Sequence, residues 1–220
     1  MSSGRLVGVD GWSGGWVTVT LDGDRASMAD HPTFADVLVA AADADVIGVD
    51  IPIGLPSSPG RPADQAARTA LSPYSGRVFP TFPRQVISAP TYAEAVARCG
   101  DGPKISRQSY GFRAKILEVD AHRADRRIVE VHPELSFAAM AGAPLVSKKT
   151  WNGQMRRRAL LAARGIELPD DLAAAGRVPV DDVLDAAAAA WTAGRIAAGV
   201  ALCLPADPPL QDGRPVAIWL

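Results

Sequence analysis

The chain has 220 residues, of which 48% are hydrophobic and 21% are charged, a composition ordinary for a globular protein with a substantial core. Its formal net charge of −1 excludes an overall electrostatic attraction to nucleic acid or to a membrane surface. The two cysteines, Cys99 and Cys203, lie in unrelated contexts, which fits a reducing compartment and excludes a cysteine-based metal site.

The N-terminal part of the chain predicts an antiparallel meander followed by a crossover. Three strands are expected at residues 5–10, 16–21 and 25–30, joined by a glycine-rich turn and by an Asp-Gly hairpin signal. Apolar residues at helical spacing predict a helix over 33–42, and a fourth strand then ends at Asp50. A helix in this place is expected to set strand four parallel to strand one.

A long proline-rich segment, residues 57–90, follows Asp50. It carries a short predicted helix over 63–71 and a run rich in aromatic residues, and the aromatic content argues against disorder. Because the segment leaves directly from Asp50, we expect it to fold over a site at that position. Two further helices are predicted at 91–99 and 106–124.

The C-terminal part predicts a fifth strand at 127–131, a basic helix at 148–164 and a long last helix from 179 to about 200. The most apolar stretch, 186–204, is mostly alanine and contains Arg195, so we expect a core helix rather than a membrane span. The element order predicts an α/β protein with a five-stranded mixed sheet, in which an antiparallel meander adjoins parallel strands and helices flank both.

We expect one domain over 1–220, with an irregular insertion at about 57–90 and a helical insertion at about 91–125. The sequence begins without a signal peptide, which predicts a cytoplasmic protein with no membrane partner. It does not determine the oligomeric state, and a homodimer is one option.

Aspartates at the ends of two strands are the first candidate site residues. Strands one and four both end in Gly-Val-Asp, at Asp10 and Asp50, and Pro52 then forces the chain out of the sheet. In the last helix, Asp182 and Asp185 are three residues apart and share a face, and the alanines that follow would let the helix approach the sheet closely. The alternative is that these acids are turn formers, or offset the dipole of the helix.

Convergence of such acids would predict a divalent cation. Carboxylates without counter-charges repel one another and take raised pKa values unless a cation neutralises them. Oxygen ligands favour Mg²⁺ or Mn²⁺ over zinc. We therefore expect Asp10, Asp50 and Asp185, with Asp182 or Glu134, to form a cluster that could hold two ions for phosphodiester hydrolysis.

Basic and aromatic residues supply candidates for substrate binding. Arg77 and Arg84 lie among Phe79 and Phe82, which suits phosphate binding and base stacking, although for the two phenylalanines we favour packing of the segment into the core. His132 could orient a water or bind phosphate, or it could only satisfy the end of a strand.

The predicted basic helix is a further candidate for substrate binding. Its basic residues could hold a nucleic-acid backbone, and a solvated basic face is the default reading. These residues are Lys148, Lys149, Arg156, Arg157, Arg158 and Arg164.

Several motifs, taken together, resemble those of the domain of unknown function 429 family, whose members are described as predicted nucleases of the ribonuclease H-like superfamily. The motifs are Gly8-Val9-Asp10-Gly11, Gly48-Val49-Asp50-Ile51-Pro52-x-Gly54-Leu55-Pro56, Val78-Phe79…Pro83-Arg84, Glu130-x-His132-Pro133-Glu134-x-Ser136-Phe137, Ser147-Lys148-Lys149-Thr150 and Asp182-x-x-Asp185-Ala186. The resemblance implies a ribonuclease H-like fold, in which Asp10, Asp50 and Asp185 match the acids of strands one and four and of the last helix. We place Glu134 with these three as a catalytic candidate.

Three functions are compatible with the sequence. The first is a metal-dependent nuclease or phosphoesterase with nucleic acid as its partner. The second is a nucleotide-binding protein of actin or sugar-kinase topology, in which residues 10–15 would face the phosphates of ATP, although that fold needs two such domains. The third is a non-catalytic module whose acids are caps and salt-bridge partners.

Overall fold

The computed structural model of the protein describes residues 4–23 and 25–220, and a five-stranded sheet lies at its centre. The strands are β1 (Arg5–Trp12), β2 (Gly15–Asp22), β3 (Arg25–His31), β4 (Ala44–Val49) and β5 (Ile128–Glu130). Their order is β3-β2-β1-β4-β5; β1 to β3 pair antiparallel, and β4 is parallel to both β1 and β5. The predicted mixed sheet is therefore confirmed.

Nine α-helices in the described part of the chain surround this sheet. They are α1 (Phe34–Ala40), α2 (Pro62–Ala70), α3 (Arg84–Ile87), α4 (Tyr92–Arg98), α5 (Arg107–Gly111), α6 (Arg113–Ala121), α7 (Pro133–Ala141), α8 (Trp151–Ala162) and α9 (Val180–Ala197). Short 3₁₀ turns lie at Ser75–Arg77 and Ala173–Arg177. None of these helices combines the length and the apolarity that crossing a membrane requires.

The C-terminal region adds two small ribbons beside the main sheet. Strand β6 (Cys203–Leu204) pairs with β9 (Ile218–Trp219), and β7 (Leu210–Gln211) pairs with β8 (Arg214–Pro215), each pair antiparallel. Trp219 of β9 also forms a bridge to Val131, just beyond β5.

Apolar clusters fill both faces of the sheet. On one face, Val7 and Val9 of β1 pack in a cluster with Phe34 of α1 and with residues of α3 to α6. On the other face, Val17 and Val19 of β2 pack with α7, α8 and α9. The sheet is thus the middle layer between two helical layers, as alternating strand side chains require.

Two strand glycines permit α9 to lie very close to the sheet. A Cβ atom on Gly8 would overlap the carbonyl oxygen of Ala186 and the backbone nitrogen of Ala190, and one on Gly48 would lie 2.8 Å from the carbonyl oxygen of Ala189. These alanines are fully buried, so small residues line both sides of the contact. Glycine within a strand commonly marks such a close backbone approach.

Two expectations about helices are wrong. The basic helix begins at Trp151 rather than at 148, because the Thr150 side chain accepts a hydrogen bond from the Gly153 amide and caps it, so Lys148 and Lys149 lie in the preceding turn. The predicted solvated basic face is also interrupted, since Arg157 is fully buried. Helix α7 was not predicted, although Pro133 at its start and Gly142 at its end are typical helix signals.

Enlarging one of the two glycines should destabilise the fold. In Gly48→Ala the added methyl would press on the backbone of α9, so we expect the free energy of unfolding to fall by about 1–3 kcal/mol in urea denaturation. Gly176→Ala is the matched control, because a Cβ there meets open space. Equal losses in the two variants would contradict the close contact.

Candidate metal centre

The alternation of β1 and β4 aims two aspartates at the face covered by α9. In each strand the glycine under the helix and the aspartate are two residues apart, so both lie on the same face. Val9 pairs with Val49 in parallel register, and the amide of Asp50 donates to the carbonyl of Val9 at 3.0 Å. Asp10 and Asp50 therefore stand side by side at one edge of the sheet.

Helix α9 brings the third aspartate to the same point. Asp185 lies immediately before the alanines that contact Gly8 and Gly48, and the residue is only 1% exposed. Each of Asp10, Asp50 and Asp185 offers a carboxylate oxygen, and these three oxygens lie within 4.8 Å of one another. The structure therefore assembles the three acids from three separate elements.

The three carboxylates are incompletely neutralised. Lys148 forms an ion pair with Asp185, and the amide of Gly11 donates to Asp10 at 2.6 Å. No basic side chain within residues 4–23 and 25–220 forms an ion pair with Asp10 or Asp50. The Oδ1 atom of Asp185 is buried, and no described group donates a hydrogen bond to it. A cation could supply these missing interactions.

The electrostatics of the cluster favour uptake of positive charge. Burial raises the pKa of Asp10 well above its usual value, with Asp50 and Asp185 adding to the effect. Burial raises the pKa of Asp50 to about 7 and that of Asp185 to about 7, although Lys148 acts against both shifts. Although burial opposes its charge, the carboxylates around Lys148 hold the pKa of that lysine well above its usual range.

Two further acids named as candidates lie outside the group of three. Asp182 is half-buried and lines the same cavity. Its pKa is raised mainly by burial and, to a smaller extent, by the neighbouring Asp181. Glu134 does not join the cluster as expected, because Arg157 donates to its Oε1 at 2.7 Å and Arg77 to its Oε2 at 2.5 Å. Both oxygens of Glu134 are therefore held by arginines.

The cluster lies in a cavity of about 510 Å³, within the size range of small-molecule sites. Among the described residues, eight acidic and four basic side chains line it, so the cavity carries an excess of negative charge. The predicted irregular segment does fold over Asp50, since Arg77 and Phe79 belong to the cavity wall. A cation bound in this cavity would reduce its repulsion of an anionic substrate.

The candidate substrate-binding residues are divided by the structure. Lys148, Lys149, Arg77 and His132 line the cavity, with Lys149 paired to Asp181. Burial lowers the pKa of His132, and among the described groups none bonds to its Nδ1. Arg84 does not line the cavity, because its guanidinium pairs with Asp120 instead.

Arg61 is the important residue that the sequence interpretation missed. It is 2% exposed and forms ion pairs with Asp64 and Glu130 at 2.6 Å each, and it donates to the carbonyl of Ile53 at 2.8 Å. Arg61 thereby ties the exit of β4 to α2 and β5. Pro62 and Asp64 after Arg61 are typical of a helix start, but no local pattern points to a partner 69 residues away.

A known protein family matches the part of the chain that builds the site. A family model described as "Protein of unknown function (DUF429)" matches residues 8–210. The chain belongs to the DUF429 family. The DUF429 match includes Asp10, Asp50 and Asp185, together with the glycines of the close contact. Comparison with curated proteins and with solved structures gives no match.

The raised pKa values predict an unusual pH dependence of stability in the metal-free protein. A carboxyl whose folded pKa is about 7, against an ordinary 3.8, stabilises the fold most at low pH, and this contribution is lost as the pH rises through 7. In a buffer with chelator, Asp50→Asn should therefore unfold at a higher temperature than the wild type at pH 8, by about 2–4 °C for each kcal/mol relieved, and the difference should shrink at pH 5.

Asp45→Asn is the matched control, because Asp45 lies on the same strand and is exposed. The unfolding temperature of Asp45→Asn should equal that of the wild type at pH 5 and at pH 8. If Asp50→Asn were no more stable than the wild type at pH 8, the destabilisation that we attribute to the charged form of Asp50 would be refuted.

Proposed function

We propose that this DUF429 protein is a metal-dependent phosphodiesterase, and specifically a nuclease, that holds Mg²⁺ or Mn²⁺ with Asp10, Asp50 and Asp185. The observation that carries the proposal is the convergence of carboxylate oxygens of Asp10, Asp50 and Asp185 within 4.8 Å, with Asp10 and Asp185 buried and Asp50 partly buried. Two of these carboxylates have no ion pair among the described residues, and the third keeps a buried oxygen without a donor. Buried charge of this kind is costly unless a cation balances it.

The donor set fits a hard divalent cation. All three ligand groups are carboxylates, which Mg²⁺ and Mn²⁺ prefer, and no histidine or cysteine joins the described group. The unpartnered Oδ1 of Asp185 supports the fit, because it offers a lone pair that no described hydrogen bond uses. A bound divalent ion would lower the pKa of a water and neutralise charge on a phosphoryl oxygen.

The chain's own residues would bind and orient the substrate. Lys148 lies in the cavity with its ammonium against Asp185 and 3.8 Å from Asp181, so it can offer its remaining N–H groups to a phosphate oxygen. Lys149, which is largely exposed, adds a second cation at the mouth. Burial lowers the pKa of His132, and in the neutral ring Nε2–H donates to the carbonyl of Arg77, which leaves Nδ1 free to accept one hydrogen bond.

Nucleic acid is the proposed substrate class because of the resemblance to ribonuclease H-like nucleases. The sheet order β3-β2-β1-β4-β5 supports this proposal, with acids at β1, after β4 and on the last helix. Fold analogy does not by itself establish chemistry, so the proposal depends on the cluster.

The other two candidate functions receive less support. The glycine-rich segment proposed to face ATP belongs to the hairpin between β1 and β2, and a Cβ at Gly14 would overlap the ring of Trp12. The non-catalytic reading requires each acid to act as a cap or to have a salt-bridge partner. In the described structure neither Asp10 nor Asp50 has such an ion pair.

Metal binding and cleavage should fail together when the cluster is altered. Calorimetry should detect Mn²⁺ binding to the wild type, with affinity that increases from pH 6 to pH 8 as the acids of pKa about 7 lose their protons. Asp50→Asn should lose this binding and should reduce Mn²⁺-dependent cleavage of a panel of single-stranded, duplex and branched DNA and RNA at least 100-fold.

The exposed Asp45→Asn variant should bind Mn²⁺ and cleave the panel as the wild type does. Cleavage that persists unchanged in Asp50→Asn, or an absence of Mn²⁺ binding to the wild type, would refute the proposed function.

A further inference from the structure

Two exposed aromatic rings lie in the wall of the cavity that contains the acidic cluster. Phe79 and Phe112 line this cavity, and each is 41% exposed, whereas nearby Phe82 is 2% exposed and belongs to the core. The expectation that both Phe79 and Phe82 pack inward is therefore wrong for Phe79. Large exposed aromatic side chains within a cavity are typical of binding surfaces.

The backbone holds each ring in a defined place. Phe112 lies at the break between α5 and α6, where it ends one helix and begins the next, and its backbone is in the helical region. Phe79 follows the 3₁₀ turn at Ser75–Arg77, in the segment that Arg68 secures by donating to the carbonyl of Val78 at 2.7 Å. Because the backbone at both residues is held by neighbouring elements, the two rings are part of the cavity lining before any ligand binds.

The cavity offers two different chemistries. The lining includes apolar side chains such as Ile105 and Ile116 besides the two rings, and it also includes the carboxylates of the cluster and Lys148. If Lys148 or a cation held by the cluster takes an anionic group, a ligand that uses both parts of the lining would carry a flat apolar ring joined to that group. A nucleotide has this composition, and stacking of a base on an aromatic side chain contributes about 1–3 kcal/mol.

An amide suited to reading the edge of a base lies in the same wall. Gln108 lines the cavity, is exposed, and makes no side-chain hydrogen bond to any described residue. Glutamine amides pair well with the donor and acceptor atoms at base edges. A base stacked on either ring could therefore also meet a polar group of the same cavity.

We propose that Phe79 and Phe112 bind an unpaired nucleobase, so that the substrate is single-stranded nucleic acid rather than a duplex. A paired base is stacked on both faces within the helix and cannot enter a cavity of about 510 Å³ without being extruded. The inference rests on the proposed function only for the phosphate end of the ligand, because the base surface is made by different residues.

The test uses a single-stranded DNA decamer with a central 2-aminopurine, whose fluorescence is quenched on stacking, titrated with the full-length protein in Ca²⁺ and in chelator. Wild type should bind and quench it, and Phe79→Leu and Phe112→Leu should each bind about tenfold more weakly, because leucine keeps apolar volume without a stacking face. Trp151→Leu is the matched control, since Trp151 is 74% exposed and does not line the cavity. The same decamer in a duplex, where the probe is already stacked, should show no change in fluorescence when the protein is added and should not compete with the single strand.

Several results would overturn the base site. These are no binding by the wild type in either buffer, equal binding by the phenylalanine variants, equal binding of the duplex, or quenching of 2-aminopurine mononucleotide with none of the decamer.

The two proposals fail separately. The phenylalanine variants should bind Mn²⁺ as the wild type does, because the carboxylates are unchanged. If Mn²⁺ binding is absent while phenylalanine-dependent quenching persists in chelator, the metal proposal fails and the base site stands. If the metal results hold while the phenylalanine variants behave as the wild type, only the base site fails.

Discussion

The packing of α9 on the backbones of β1 and β4 is the contact on which the candidate site depends. Gly8 and Gly48 admit the helix, and fully buried alanines allow it to lie close. Because side chains alternate along a strand, the aspartates two residues beyond these glycines face the same helix. A side chain at either glycine would push α9, and with it Asp185, away from Asp10 and Asp50. The close approach of α9 to the sheet is therefore needed both for the packing of the helix and for the cluster.

Charge compensation divides the acids of this region into two groups. Glu130 and Glu134 each pair with a buried arginine, and breaking such a pair typically costs about 3–5 kcal/mol. Those glutamates are therefore held in place whether or not a cation is bound. Asp10 and Asp50 lack such partners among the described residues, and their pKa values are raised. The pKa of Glu130 is raised by burial as well, so the lack of an ion-pair partner, and not the pKa alone, is the reason why we propose that Asp10 and Asp50 hold a cation.

Local patterns in the sequence predict the strands and the alanine-rich helix, because each depends on residues close together in the chain. The three acids that meet are far apart in the chain, and they are identified from the repeated Gly-Val-Asp strand ends, the Asp-x-x-Asp-Ala motif and the family resemblance. The ion pairs of Arg61 with Glu130 and of Arg157 with Glu134 join positions 69 and 23 residues apart, and no local pattern encodes them. The exposure of Phe79 does not follow from the sequence, because a proline-rich segment has no periodicity that shows which side chains face inward.

The most direct test is a crystal structure of the wild type grown with Mn²⁺ and measured at the manganese absorption edge. The account predicts one or more anomalous difference peaks bounded by carboxylate oxygens of Asp10, Asp50 and Asp185. An absence of anomalous density at this cluster in Mn²⁺-saturated crystals, with the three side chains as close together as they are here, would contradict it.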